Sequence, residues 1–191
     1  MPRAGLTRDA VVAAGAELAD STGLDRLTLA ALAQGFGVKL PSLYKHVGGV
    51  EDLQRSIAVL ALAELGATLA AATVGKADGD ALRAMAKSYR AYALAHPGRY
   101  AATVRAPDPE DVEHLAAAET VVRTAFAALA GYGLEGEDAI DGVRIFRSAV
   151  HGFVSLEYLG GFGLPQAVDR TFDRMVDALD AGLRRGWHPA G

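Results

Sequence analysis

The stretch LTLAALAQGFGVKLPSLYKHVGGVEDL, Leu27 to Leu53, holds two short helical patterns separated by a glycine turn. Thr28 is a good N-cap, since its hydroxyl can accept a backbone N–H of the first turn, and Leu29, Leu32, Ala33 and Phe36 then form one apolar face that stops at Gly37. After the turn Gly37-Val38-Lys39, a second helix over about residues 40–46 has Pro41 in its first turn and buries Leu43 and Val47. Its other side shows Ser42, Tyr44, Lys45 and His46. Around this segment, from Asp25 to Glu51, lie 25 consecutive residues without Asp or Glu, although the chain carries a formal net charge of −4.

The whole chain sets the frame for that local feature. Its 191 residues suit one medium domain or a small domain fused to a larger one, and 51% apolar content is enough for a real core. Cysteine is absent, which excludes a disulfide framework and a thiolate zinc site. The N-terminal MPRAGLTRDAVVAAGAELAD has an acid inside its apolar run, and no stretch approaches 18 uncharged apolar residues, so neither a signal peptide nor a membrane span is expected and the chain reads as cytoplasmic. Abundant Ala, Gly, Arg and Asp, with no Asn, suit a GC-rich bacterial genome. Residues 1–50 hold five basic and four acidic residues, and residues 51–191 hold fourteen and nineteen, so the acid sits in the larger part. An acidic chain can still meet a polyanion through a local basic surface, with binding that falls steeply with salt.

The remaining pattern is helical throughout. Thr7 caps a helix of about 7–22 with Val11, Ala14 and Leu18 on one face and Gly23 after its end. Glu51 and Asp52 favour the start of a long connecting helix that continues through Leu53, Ile57 and Leu60 to about Ala72. A loop, TVGKADGD, precedes a helix of about 80–96 ended by Pro97. In APDPEDVEH, Asp108 is the expected cap and Pro109 the first-turn residue of a helix reaching about Leu129. A helix of about 137–159 carries two apolar stripes, one of Ala139, Val143, Phe146, Val150 and Phe153, the other of Ile145, Ala149, Gly152, Leu156 and Leu159. The last helix, about 166–185, presents Val168, Phe172, Met175, Val176, Leu179 and Leu183.

Two short helices, a three-residue turn containing glycine and a polar second helix have helix-turn-helix proportions. In that arrangement Lys45 reaches a phosphate or a guanine edge, the Ser42 hydroxyl suits a phosphate or a base, and Tyr44 and His46 suit phosphate oxygens. The same residues closely resemble the signature of TetR-family transcriptional regulators over about residues 7–55: an apolar-Thr start, Leu-Ala at the end of the first helix of the pair, Gly-Val in the turn, then Ser-Leu-Tyr-x-His and a following helix that opens near an acid and a leucine. FRSAVHGFVSLEYLGGFG also resembles the Trp-His-Gly type of TetR C-terminal domain through His151 and Gly152, although no Trp precedes His151.

This resemblance implies an all-α protein of about nine helices. Residues 1–49 would form a three-helix DNA-binding domain, and residues 50–191 a larger helical bundle for effector binding and dimerisation. It implies a ligand-responsive repressor, without cofactor, metal or catalytic residues, that binds a pseudo-palindromic operator in double-stranded DNA as a homodimer and is released by a small apolar organic effector. Carried over by position, Thr28 meets a phosphate, and Lys39, Leu40, Ser42, Tyr44, Lys45 and His46 lie at the groove or its flanking phosphates. Two departures stand out: Ala30 and Val50 occupy positions where many members have basic residues, leaving Arg3 or Arg8 to compensate. Without Asn, and without Gln in the reading helix, bidentate adenine contacts are unavailable, so guanine contacts by lysine and shape readout are expected.

The second stripe of the 137–159 helix exceeds what one subunit's core requires. With the last helix it suits the family's four-helix dimer interface, here Ile145, Ala149, Gly152, Leu156, Phe172, Met175 and Leu179. Met85, Tyr89, Tyr92, Phe126, Phe146 and His151 are the candidate lining of an effector pocket. Other classes fit poorly. GYGLEG, Gly131 to Gly136, matches G-x-G-x-x-G but follows a helix where a dinucleotide site needs a strand. Asp111-x-x-His114 has metal-ligand spacing without the second pair a di-metal bundle needs, so no enzyme is expected. The alternative function is a helical adaptor without DNA binding, which predicts that Tyr44→Ala and Lys45→Ala leave function untouched.

Overall fold

The computed structural model describes residues 6–186, and among them all regular structure is helical. The α-helices are α1 (Arg8–Thr22), α2 (Leu29–Phe36), α3 (Val50–Thr73), α4 (Asp78–Ala95), α5 (Pro97–Ala102), α6 (Val112–Leu129), α7 (Gly136–Tyr158) and α8 (Val168–Arg185). Leu40–Lys45 forms a 3₁₀ helix between α2 and α3. The chain makes two compact units, one from residues up to Ala63 with His96–Ala118, the other from Glu64–Ala95 with residues from Glu119 onward. The boundary expected between residues 49 and 50 lies at the start of α3; the compact units divide further along, inside α3 and α6.

In the first unit, α1 starts where the Thr7 hydroxyl accepts the Ala10 N–H at 3.1 Å, and α2 starts where Thr28 accepts the Ala31 N–H at 3.2 Å. Gly37 adopts a left-handed φ of 65° and donates its N–H to Ala33 and Gln34, which ends α2 and turns the chain. Val11, Ala16, Leu32, Leu43, Val47, Leu53 and Ile57 share one buried core. The segment after the turn is short, eight residues before Gly48-Gly49, and tighter than an α-helix: the Ser42 and His46 N–H groups bond back three residues, to Lys39 and Leu43.

Pro97 does more than end the preceding helix. α4 stops at Ala95, and Pro97 opens α5, a helix the sequence pattern did not indicate. α5 lies directly against the end of α1: a Cβ on Gly98 would sit 2.1 Å from the Ala19 carbonyl carbon and 2.2 Å from its oxygen. Asp20 fixes the junction by accepting the Arg99 backbone N–H at 2.8 Å, with His96 Nδ1 3.3 Å and the Arg99 guanidinium 3.4 Å from the same carboxylate. The start of α6 also differs from expectation. Asp108 caps a local turn through the Glu110 N–H, while Asp111 accepts the His114 N–H at 3.1 Å and is the true cap, three residues later.

In the second unit α4 packs on α7 and α8 through Leu82, Met85, Ala86, Tyr89 and Ala93. Arg90 ties the three together: it donates to both Glu157 oxygens and to Asp169, and its guanidinium lies 4.8 Å from the Phe172 ring centroid. At the other end of α8, buried Asp180 accepts the Tyr132 hydroxyl at 2.5 Å and pairs with Arg184 and Arg83. Burial and this carboxylate push the Tyr132 phenol well above its usual pKa. Gly131–Gly136 connects α6 to α7, helix to helix. α3 is long and apolar enough to cross a membrane by composition, but Leu53, Ile57, Ala61, Leu65 and Leu69 are fully or almost fully buried within the protein.

The α1–α5 junction makes a direct prediction. Gly98→Ala should lower stability by about 1–3 kcal/mol, roughly 2–12 °C in Tm, because the clash is with backbone that cannot rotate away. Gly35→Ala, in α2 with open space around its Cβ position, should instead raise stability by up to about 1 kcal/mol in the same thermal melts.

Candidate functional site

Leu43 is wholly buried and Val47 is 2% exposed, so the 3₁₀ helix is pinned by its apolar side and turns the other outward. Tyr44 is 57% exposed, Lys39 and Lys45 are exposed, and Ser42 and His46 are half-buried beside them. Thr28 stands exposed at the N-terminus of α2, its hydroxyl already engaged as the cap. Leu40 is half-buried and packs against the core, so part of its surface serves the fold. The seven residues therefore come from one turn, one short helix and the cap of α2.

A clamp that the sequence pattern did not show sets the pose of this helix. The Arg8 guanidinium donates to the His46 carbonyl at 2.7 Å, to both Asp52 oxygens at 3.1 and 2.8 Å, and to the Ser56 hydroxyl at 2.8 Å. Asp52 in turn accepts the Gly48 N–H at 2.7 Å. One arginine thus joins the start of α1, the end of the 3₁₀ helix and the start of α3. The suggestion that Arg8 serves as a free phosphate donor is corrected by this geometry, because its donors are spent inside the unit; Arg3 lies outside the described residues. The Arg8 pair, the larger influence, and the Gly48 N–H hold the Asp52 carboxyl below its usual pKa. A second arginine, Arg55, grips Asp111 with a bidentate pair and Glu113 at 2.5 Å, joining α3 to the start of α6.

The candidate effector residues all belong to the second unit. Met85, Tyr89, Tyr92 and Phe146 are buried, and the Tyr89 and Phe146 rings meet edge to face at 6.4 Å. The Tyr92 hydroxyl donates to Glu64 at 2.9 Å. Phe126 and His151 are half-buried. Desolvation, assisted by Arg147 one turn earlier, holds the His151 imidazole below its ordinary pKa. Of the first α7 stripe, Phe146, Val150 and Phe153 face the core and Ala139 and Val143 are half-buried, whereas in the second Ile145 is 38%, Leu156 51% and Leu159 78% exposed. Ala149, Met175 and Leu179 are half-buried and Gly152 is open to solvent. Phe172 is the exception among the expected interface residues. It is 1% exposed, packed on Phe153 and under Arg90, so it belongs to the core of its own unit.

A glycine-turned helix pair with a polar, outward second helix, within an all-helical chain, has the form of a helix-turn-helix module. The comparisons agree. The family described as "Tetracyclin repressor-like, C-terminal domain" matches residues 82–179. An HTH-type transcriptional regulator of Mycobacterium tuberculosis is 40% identical over 181 residues, covering 94% of this chain and 83% of the relative. One from Bacillus subtilis is 32% identical over 94% of this chain and 88% of the relative. A variant of TetR from Acinetobacter baumannii, solved in complex with minocycline, matches with a TM-score of 0.73 and 26% identity over 94% of this chain and 97% of that one. The chain belongs to the TetR family.

The Arg8–Asp52 clamp should be visible in stability. A group whose folded pKa is lowered stabilises the fold above its unfolded pKa, near 4, and loses that contribution as pH falls further. Wild-type protein should therefore lose stability between about pH 4 and pH 2 more steeply than Asp52→Asn in chemical denaturation. Equal pH slopes would mean that the pair contributes nothing to folding.

Proposed function

We propose that the chain is a ligand-responsive repressor that binds a pseudo-palindromic operator as a homodimer in the cytoplasm. The observation that carries this reading is the outward polar face of the Leu40–Lys45 helix, whose apolar side is locked by Leu43 and Val47 while Tyr44 and Lys45 stand free. Lys39 and Lys45 make no ion pair among the described residues, so they are available to phosphates or guanine edges. Thr28, Ser42, Tyr44 and His46 supply hydroxyl and imidazole groups for the flanking phosphates, and the exposed part of Leu40 meets the groove.

The uncovered α7 face supports dimerisation. Ile145, Ala149, Gly152 and Leu156, with Met175 and Leu179 of α8, form an apolar surface with small residues at its middle, suited to close helix packing against a second copy. Two-fold symmetry would place the reading helices about 34–36 Å apart, one DNA turn. Met85, Tyr89, Tyr92, Phe126, Phe146 and His151 of the second unit are the proposed effector residues. An effector acts there only by preferring the conformation in which the two reading helices no longer fit successive grooves.

Selection of purified protein against random duplex DNA tests the proposal. One enriched pseudo-palindrome is expected, with Tyr44→Ala binding it at least about tenfold more weakly and Lys45→Ala reducing the log–log salt slope by about 1 per subunit. Recovery of no preferred sequence at low salt would refute it. Leu156→Glu should produce monomers in sedimentation and abolish tight operator binding with the melting of each subunit little changed; a variant that remains dimeric would place the interface elsewhere.

A further inference from the structure

Arg8 of α1, Arg55 and Ser56 of α3 and Glu113 of α6 line one cleft of about 390 Å³ in the first unit. Two guanidinium groups therefore share this space with three carboxylates, and each has its own partners. Arg8 holds Asp52 and, through the same guanidinium, the His46 carbonyl at the end of the Leu40–Lys45 helix. Arg55 holds Asp111 at 2.7 Å and Glu113 at 2.5 Å, both at the start of α6.

That division is not the one α3 alone would make. Asp52 and Arg55 stand three residues apart on α3 with the acid nearer the N-terminus, a spacing at which side chains are neighbours and opposite charges attract. In the structure Arg55 instead reaches across to α6. The charges still act on one another: the Arg8 hydrogen bond is the chief reason the Asp52 carboxyl sits below its usual pKa, and Arg55 adds to that effect. Asp52 in turn raises the Arg8 pKa, and Arg55 opposes the rise. Arg55 is thus a second cation within range of Asp52, kept off it by two carboxylates that belong to a different helix.

We infer that Arg55 is a standby competitor for Asp52. While Asp111 and Glu113 hold Arg55, Arg8 clamps the Leu40–Lys45 helix; when the start of α6 releases Arg55, it takes Asp52, and Arg8 loses its grip on the His46 carbonyl. The start of α6 then controls the pose of the Leu40–Lys45 helix through an exchange of ion pairs inside one unit. Only the consequence, weaker operator binding, rests on the proposed DNA-binding reading.

The test uses the full chain and the pseudo-palindrome recovered by selection. Asp111→Asn with Glu113→Gln releases Arg55 and leaves a side-chain oxygen to cap α6. Deleting two negative charges strengthens DNA binding by simple electrostatics. The exchange predicts the opposite, operator binding weaker by about fivefold or more. Adding Arg55→Gln removes the competitor and should restore affinity to within about twofold of wild type, although the loss of a cation alone weakens binding. The Arg8 guanidinium protons, followed by ¹⁵N NMR, should shift in the double variant and return in the triple variant, with thermal melts showing each protein folded at the binding temperature. Arg8 signals unmoved by the double variant would overturn the exchange. Affinity that stays low in the triple variant would overturn it too, because it would make the α6 contacts plain structural supports. Shifted Arg8 signals with unchanged affinity would overturn the consequence for DNA. If the wild type enriches no operator, the repressor reading falls, and the Arg8 signals alone decide the exchange.

Discussion

Leu43 has no exposed surface, and the outward face of the Leu40–Lys45 helix depends on that burial. The helix is too short to be stable alone, since six residues close few hydrogen bonds and Pro41 supplies no donor. Its order comes from Leu43 and Val47 in the core shared by α1, α2 and α3. Once those two side chains are inside, the positions between them are carried to the surface. The Arg8 bonds to the His46 carbonyl and to Asp52 then set the angle at which that surface is offered. Hydrophobic burial decides which side faces out, and charge-assisted hydrogen bonds decide its pose.

That three-helix core is not closed by the N-terminal residues alone. α5 and the beginning of α6 return to it after α4, and α5 comes so near α1 that only a residue without a side chain fits at position 98. The Asp20 carboxylate receives the Arg99 N–H there, with His96 and the Arg99 side chain close by. On α3, Arg55 holds the start of α6 through Asp111 and Glu113. Elements distant in sequence thus hold α1 and α3, the same two helices that Arg8 joins to the Leu40–Lys45 helix. A shift of α5 or of the α6 start therefore has a mechanical path to the Leu40–Lys45 surface through direct contacts.

Much of this architecture was legible because it rests on local signals. Thr7 and Thr28 cap where their hydroxyls predicted, Gly37 turns where a left-handed residue was needed, and on α7 Phe146, Val150 and Phe153 are buried while Ile145, Leu156 and Leu159 are exposed. What escaped the sequence is long-range. The Arg8–Asp52 and Arg55–Asp111 pairs span 44 and 56 residues, and no periodicity reports a partner at such distance. α5 was hidden because a six-residue helix is too short for an amphipathic pattern and Pro97 punctuates either an end or a beginning. Asp108 and Asp111 offer equal caps on composition; the chain direction imposed by Arg55 selects the second. Phe172 shares its helix with residues of the outer face, and only the packing of Phe153 and Arg90 against it shows that it points inward.

The charge distribution acquires its meaning from the same contacts. Of the five basic residues in the first fifty, Arg8 is neutralised inside the fold, while Arg26, Lys39 and Lys45 remain exposed without ion pairs among the described residues. In the rest of the chain, Arg55, Arg83, Arg90 and Arg184 are bound to carboxylates. Four arginines of the acidic larger part are thus engaged in structure, while Lys39 and Lys45 beside the Leu40–Lys45 helix are not. On the proposed reading, so few cations would make nonspecific attraction modest and leave a larger share of binding to hydroxyl, imidazole and shape contacts.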